Sequence, residues 1–364
     1  MRLLFFLVPG SLDTRTGGSI YDKRMVESLR ARGWAVEVRE LDESFPRPTS
    51  HAREHAARVL AAIPDRALVV VDGLALGAMP GEIERESPRL RVVALVHQPL
   101  ADEAGIDADA AARLEASERR ALAAVRAVIV TGASTARALA HYGVARERIE
   151  VVEPGTERAP LARGSKKPSA LGAQPFNNAE PFRLHLICVA TLNAGKGHEL
   201  LFQALSKIPH RNWRLTCAGS LNREPSTAAR LRDQLRADGL EEHVSLAGDV
   251  DAKALSALYD SADLFVLATL HETYGMAVAE ALAHGLPVIS TTTGAIPELV
   301  GSEADVLVPP GDSDALAVAL STVLADPAMR QRLAEGARRV RDRLPTWEEA
   351  GGRMAAALER IAHR

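Results

Sequence analysis

Glu272 and Glu280 stand eight positions apart in the window 271–289, HETYGMAVAEALAHGLPVI, directly after an apolar run at 264–268. Eight steps along an ideal helix turn through about 800°, which leaves two side chains about 80° and 12 Å apart. Two glutamates so placed on one helix would not act as a carboxylate pair. The spacing instead predicts Glu272 in a strand-to-helix loop and Glu280 in the second turn of the helix that follows. Gly275 lets backbone approach a ligand closely, and the amides of a first helical turn form an anion site. With a carboxylate at either end to accept hydroxyl hydrogen bonds, the arrangement suits a ligand with a central diphosphate and a sugar on each side. A surface helix with two ordinary glutamates fits the same spacing.

Other positions have the right chemistry for such a ligand. Lys196 lies between Gly195 and Gly197, and it is one of six lysines among 44 basic residues, so an interchangeable surface charge would more naturally be arginine. His97 closes the apolar run 92–97. A histidine at the carboxyl end of a buried strand faces the ligand-binding edge of a sheet, where it can bond or exchange protons near neutral pH; a lone histidine can equally be structural. In Thr16-Gly17-Gly18-Ser19 the two glycines would let a phosphate approach the amino end of the first helix, or simply make a turn. Asp249-Val250-Asp251 has the form of a metal–nucleotide motif, but Asp251 precedes a helical stretch and reads as its cap. Asp107, Asp109, Asp312 and Asp314 read likewise as loop and cap residues. Cys188 and Cys217 each sit in an apolar run and read as small core hydrophobes. The sequence shows no Cys/His cluster, and neither a metal nor a cofactor is expected.

These residues need elements to hold them. Twelve short Val/Ile/Leu runs, at 3–8, 36–41, 68–72, 92–97, 127–131, 149–153, 184–190, 215–219, 244–248, 264–268, 287–290 and 306–309, alternate with amphipathic stretches. Apolar runs without alternation suit strands covered on both faces, so the pattern predicts βαβ units in doubly wound α/β domains. The stretch 158–181 is rich in Pro, Gly, Ser, Asn and Ala and reads as a linker, its Lys166-Lys167 pair included. It separates a Rossmann-like domain at 1–157 from a second at 182–345, the two facing each other across a cleft. After Leu344-Pro345, Thr346 can cap a fresh helix over about 346–364, free to pack back on the first domain.

Composition excludes several classes. The 364 residues are 47% hydrophobic and 25% charged with a net charge of −3, an ordinary globular balance. Residues 1–157 carry 21 basic and 23 acidic side chains and the remainder 23 and 24, so neither half is a basic arm for nucleic acid. The apolar run at 3–8 is too short for a secretory segment or a membrane span, which needs about 20 residues. The expected location is cytoplasmic. HAREHAAR at 51–58 is the nearest approach to a membrane-surface helix, and a plain solvated helix fits it as well.

Glu272, Gly275, Glu280, Ala281, Ala283, Gly285, Pro287 and Val288 match the pattern E-G-F-G-L-x-x-x-E-A-x-A-x-G-x-P-V-I, with Tyr274 for Phe and Met276 for Leu. Together with Gly294-Ala295-Ile296-Pro297-Glu298, LNAGKGHELL at 192–201, the Gly17-Gly18 segment and VVEPGTE at 151–157, the chain resembles the retaining glycosyltransferases of family 4, of GT-B fold. The resemblance runs over nearly the whole chain. It implies that Glu280 binds the donor ribose, that Glu272 contacts the transferred sugar, and that Lys196 stabilises the leaving diphosphate. It further implies donor contacts from Thr191, Thr273, Tyr274, Gly275, Met276, Ala277 and Gly248, His97 close to the transferred sugar, and Gly17 and Gly18 on the acceptor or a phosphate. Thr191 stands where many relatives carry an arginine. The resulting expectation is a metal-independent hexosyltransferase taking a UDP- or GDP-sugar to a hydroxyl acceptor (lipid, glycan or small metabolite), with at most weak peripheral membrane contact and no nucleic acid. The alternatives are a non-catalytic nucleotide-sugar-binding protein and an epimerase or phosphorylase on the same fold.

Overall fold

The computed structural model describes residues 2–14, 16–103, 105–165 and 184–363. They fall into two compact units, Met1–Gly155 with Pro345–Arg364, and Thr156–Leu344. In the first unit β1 (Arg2–Pro9), β2 (Trp34–Leu41), β3 (Leu68–Asp72), β4 (Arg91–Val96), β5 (Ala127–Val130) and β6 (Ile149–Val151) form one parallel sheet in the order β2-β1-β3-β4-β5-β6. Successive side chains on a strand point to opposite faces, and β1 divides accordingly. Leu4, Phe6 and Val8 enter one core with Tyr21, Met25 and Leu29, while Phe5 and Leu7 enter the other with Leu60, Val69 and Ile83. A strand buried on both faces has no polar side to show, which explains its unbroken apolar run.

The second unit holds β7 (Leu184–Val189), β8 (Trp213–Ala218), β9 (Val244–Gly248), β10 (Leu264–Val266), β11 (Val288–Thr291) and β12 (Asp305–Val308), again all parallel, in the order β12-β11-β10-β7-β8-β9. Numbered from β7, this is the 3-2-1-4-5-6 order of dinucleotide-binding sheets. The winding direction reverses between β7 and β10, and in the first sheet between β1 and β3. At such a reversal the two connections leave for opposite faces and open a crevice at the carboxyl ends of the strands. All twelve expected strands are present.

The details differ from expectation in three places. Gly17 and Gly18 are not a loop: they begin the helix Gly17–Ala31, whose Thr16 cap accepts from the Ser19 amide at 3.1 Å. Residues 158–165, expected as linker, run against the second unit. The Ala162 amide bonds the His284 carbonyl at 2.8 Å, the Arg163 amide bonds the Asp260 carbonyl, and the Arg163 side chain pairs with the Asp260 carboxylate. Residues 166–183, Lys166 and Lys167 among them, lie outside the described residues. Finally, the stretch 51–58 belongs to the helix Ser50–Ala61, which buries Ala52, Ala56 and Leu60 in the first unit's core, so its apolar face is already covered. No helix among the described residues is long and apolar enough to cross a membrane.

The helix Pro327–Arg341 stops four residues before Pro345, and Thr346 starts the next helix, Trp347–His363. The Thr346 hydroxyl accepts from the Glu349 amide at 3.2 Å and the Glu349 carboxylate accepts from the Thr346 amide at 2.7 Å, a reciprocal capping box. This helix packs Met354, Leu358 and Ile361 into the core around Tyr21 and Met25. Its contact with Gly17–Ala31 depends on Gly351, where an added Cβ would stand 2.5 Å from Ser28 Cβ; the adjacent Gly352 meets nothing nearer than the mobile end of Arg32 at 3.5 Å. Neighbouring substitutions should therefore have opposite signs. In denaturant unfolding, Gly351→Ala should cost about 1–3 kcal/mol through overpacking, whereas Gly352→Ala should gain up to about 1 kcal/mol from helix propensity.

Candidate functional site

In the second unit, two loops meet where the sheet reverses. After β7, Asn193 caps a single turn, Ala194–Lys196, by accepting from the Lys196 amide at 3.2 Å. Gly197 follows with φ +66°, and a Cβ there would lie 1.9 Å from the Ala268 carbonyl oxygen just past β10. No other residue type lets the two backbones touch in this way. The crossing is fastened by the Leu270 amide and the Thr269 hydroxyl, which donate to the Gly195 carbonyl at 2.8 and 3.2 Å. As a result Lys196 Nζ lies 2.7 Å from Glu272 Oε2, with both side chains largely buried.

Glu272 is held from the far side as well. Gly294, with φ +56°, packs so tightly that a Cβ would fall 1.3 Å from the Glu272 carbonyl oxygen. The Thr291 hydroxyl donates to the Thr269 carbonyl at 2.6 Å and the Thr293 hydroxyl to the Leu270 carbonyl at 3.3 Å. The helix Met276–Ala283 then starts from Gly275 in the left-handed region (φ +95°) with no side chain capping it. Its first intrahelical donor is Ala279, bonded to the Gly275 carbonyl, so the amides ahead of it carry the partial positive charge of a helix start. Glu272 is in the loop and Glu280 in the second turn, as their spacing predicts.

Glu280 is engaged separately from the ion pair. The Tyr259 hydroxyl donates to its Oε2 at 3.0 Å and lies 3.3 Å from the Ala277 carbonyl. Tyr259 is itself stacked on His284 at 4.9 Å. Burial raises the Glu280 carboxyl above its ordinary range, and the tyrosine bond offsets only part of that. Of the other expected donor contacts, Tyr274 turns its side chain into the core, and Met276 and Ala277 pack against it. Thr191 lies in the loop after β7, whose backbone is closely crossed by Gly219. Gly248 ends β9, the edge strand two places from β7, and is tied to Gly219 at 2.9 Å. Sequence reasoning missed Tyr259 and Thr269, and named Gly294 only as part of a matching segment; a tyrosine in the amphipathic stretch before β10 gives no signal that its hydroxyl will serve a glutamate 21 residues later.

In the first unit His97 follows β4, and Gly18 fits against it: a Cβ on Gly18 would stand 3.3 Å from His97 Cδ2. His97 Nε2 lies 3.1 Å from Asp22 Oδ1 and 3.4 Å from Asp72 Oδ2, and both carboxylates are buried. Asp72 ends β3 and caps the short helix Gly73–Leu76 through the Leu74 amide at 2.8 Å. Neither aspartate was expected at the site. An acidic residue closing the fully buried run 68–72, just ahead of Gly73, was the available signal. Burial disfavours a charged imidazole, but Asp22 and Asp72 outweigh it and lift His97 to about 10. Burial, opposed by His97 and assisted by Asp72, lifts Asp22 to about 7. Both carboxylates thus favour the imidazolium form of His97, in which each ring nitrogen is a hydrogen-bond donor.

Two parallel doubly wound sheets, each with polar groups gathered at its reversal point, are the architecture of GT-B transferases. Residues 175–340, just under half of the chain, match the family model "Glycosyl transferases group 1". It is 26% identical over 337 residues to the MMP alpha-(1->4)-mannosyltransferase of Mycolicibacterium hassiacum, a match covering 88% of this chain and 77% of that protein. It is 30% identical over 248 residues to the D-inositol 3-phosphate glycosyltransferase of Xylanimonas cellulosilytica, covering 65% of this chain and 57% of the relative. Among solved structures, sucrose-phosphate synthase from Thermosynechococcus elongatus superposes with a TM-score of 0.80 at 20% identity over 99% of both chains. HepE from Anabaena, solved with UDP and glucose, gives 0.78 at 18% identity over 99% of this chain and 100% of that one.

Because the folded values of His97 and Asp22 both lie above their ordinary ones, the folded state binds more protons than the unfolded state between about pH 4 and 10. The cluster's contribution to stability is present at the acid end and is lost as pH rises through that window. By NMR, His97 should stay protonated through pH 8 in the wild type. Asp22→Asn should bring its midpoint down by at least about one unit, since a neighbouring carboxylate shifts a partner by 1–3 units. A wild-type midpoint near 6.5 would contradict this.

Proposed function

We propose that this chain is a retaining hexosyltransferase that moves a sugar from a UDP- or GDP-sugar to a hydroxyl acceptor, with the second unit holding the donor and the first holding the acceptor. The observation that carries this is the Lys196–Glu272 pair beside the uncapped helix start at Gly275. A diphosphate offers Lys196 a second partner and the first-turn amides an anion. Freed from the lysine, Glu272 can accept from hydroxyls of the transferred sugar, while Glu280, oriented by Tyr259, accepts from the ribose. The printed names of the relatives, a mannosyltransferase and an inositol phosphate glycosyltransferase, and the UDP-glucose complex of HepE support a donor of this class.

In the reaction, the bond between the anomeric carbon and the diphosphate oxygen breaks, and a bond to the acceptor oxygen forms on the same face. The acceptor proton passes to the departing phosphate oxygen. Negative charge grows on that phosphate, so Lys196 and the helix-start amides act most strongly in the transition state. No protein base is required. His97, charged and held through Nε2, has its other ring nitrogen left to donate to a sugar hydroxyl. Asp22 and Asp72 are positioning residues. Nothing in these steps requires a metal ion.

One observation favours a second reading. Thr191 supplies no cation where many relatives place an arginine, which would suit a protein that binds nucleotide sugars without turning them over. A thermal-shift panel of nucleotide sugars identifies the donor, because stabilisation follows ligand concentration over Kd. Incubation of that donor with candidate acceptors should give a product with the donor's anomeric configuration. Lys196→Ala should lower kcat by about 10²–10³-fold, the loss typical of one transition-state donor, and Glu272→Ala should also impair turnover. Glu280→Ala should mainly weaken donor binding. If turnover survives both Lys196→Ala and Glu272→Ala, the catalytic assignment is wrong; donor binding without turnover under any acceptor selects the second reading.

A further inference from the structure

Cys188 on β7 and Cys217 on β8 are directly opposed in the parallel register, so their side chains leave the same face of the sheet. His198, the first residue of the helix His198–Ser206, drops onto that face with Nε2 3.7 Å from Cys188 Sγ. One ligand atom from each of the three residues lies within 4.8 Å of the other two, and none of the residues is more than 2% exposed. Both cysteines lie in the apolar core, as the sequence predicts, and the strand register brings together what the sequence separates by 29 positions.

We propose that Cys188, Cys217 and His198 form a buried binding site for a thiophilic divalent cation of the Zn²⁺ type. Cys₂His is an established set of three protein ligands for Zn²⁺, completed by a fourth ligand such as water, and with metal–sulfur and metal–nitrogen bonds of about 2.3 and 2.0 Å, neighbouring ligand atoms stand about 3.5–3.8 Å apart. The observed 3.7 Å matches such an edge. Charge favours the same ion. Two thiolates and Zn²⁺ sum to zero, so a neutral complex occupies the apolar core, where a net charge would be costly. The ring's polar contact among the described residues is the one from Nε2 to Cys188, and Nδ1 is buried without a partner. A bound ion would cross-link β7, β8 and the helix that starts immediately after Lys196-Gly197. It is thus a structural clasp beneath the lysine loop, independent of the proposed transfer reaction.

The chain contains two cysteines, so any thiolate–metal band must come from Cys188 and Cys217. The full chain, untagged, reduced and stripped with a chelator, is refolded with Cd²⁺ as a spectroscopic probe or with Zn²⁺. The expected result is an ultraviolet thiolate-to-cadmium band saturating at one equivalent per chain, and a higher Tm with Zn²⁺. Cys217→Ala should abolish the band, and His198→Asn should weaken Zn²⁺ binding at least about tenfold, since even outer-shell changes cost 10–100-fold. Asp249→Asn with Asp251→Asn should leave both readouts unchanged. The wild-type measurement decides without reference to whether the variants fold: no band and no Zn²⁺-dependent rise in Tm would overturn the proposal, as would a band that persists in folded Cys217→Ala.

Discussion

The donor-side geometry depends on one backbone crossing. Gly195–Gly197, arriving from β7, lies directly on Ala268–Leu270, leaving β10, at a distance only glycine permits. The crossing exists because the sheet reverses its winding between those two strands, so their connections start side by side and then diverge. From it follow the 2.7 Å approach of Lys196 to Glu272, the place of the helix that starts at Gly275, and the second close packing at Gly294. The polar side chains gathered at this reversal are few. Most of the specification lies in glycines and in threonine hydroxyls bonded to carbonyls, which keep two loops in register.

The Lys196–Glu272 pair has a definite energetic meaning. At 26% and 15% exposure it is neither a solvated surface pair nor a fully buried one, and desolvation offsets much of its Coulomb attraction, so it is poorly explained as a fastening. It is better understood as two charges held apart from bulk water and available for exchange. An anionic group can take the lysine while sugar hydroxyls take the glutamate. The first unit solves a related problem differently. There, two buried aspartates lie within 3.4 Å of one histidine nitrogen and favour its charged form.

Much of this was legible in the sequence because periodicity encodes it. Twelve apolar runs gave twelve strands, and the Glu272–Glu280 spacing located loop and helix correctly. Capping chemistry was equally readable: Asp251, Asp107 and Asp312 are caps, and Thr346 starts the final helix. What escaped reading is set by strand order. Asp22, Asp72 and His97 come from three elements that adjoin once β3 and β4 pair, and Cys188 meets Cys217 because β7 pairs with β8 in that register. Nothing local in those residues announces their partners. Tyr259 likewise becomes a hydrogen-bond donor to Glu280 only when its helix is laid on the sheet.

If Lys196 serves a diphosphate, a nucleoside diphosphate must displace Glu272 from it. Calorimetric titration of the diphosphate from the best donor into wild type, Glu272→Gln and Lys196→Ala tests it most directly. Removing the competing carboxylate should tighten diphosphate binding even though it impairs transfer, and removing the lysine should weaken it. Equal or weaker binding by Glu272→Gln, with no loss in Lys196→Ala, would contradict the claim.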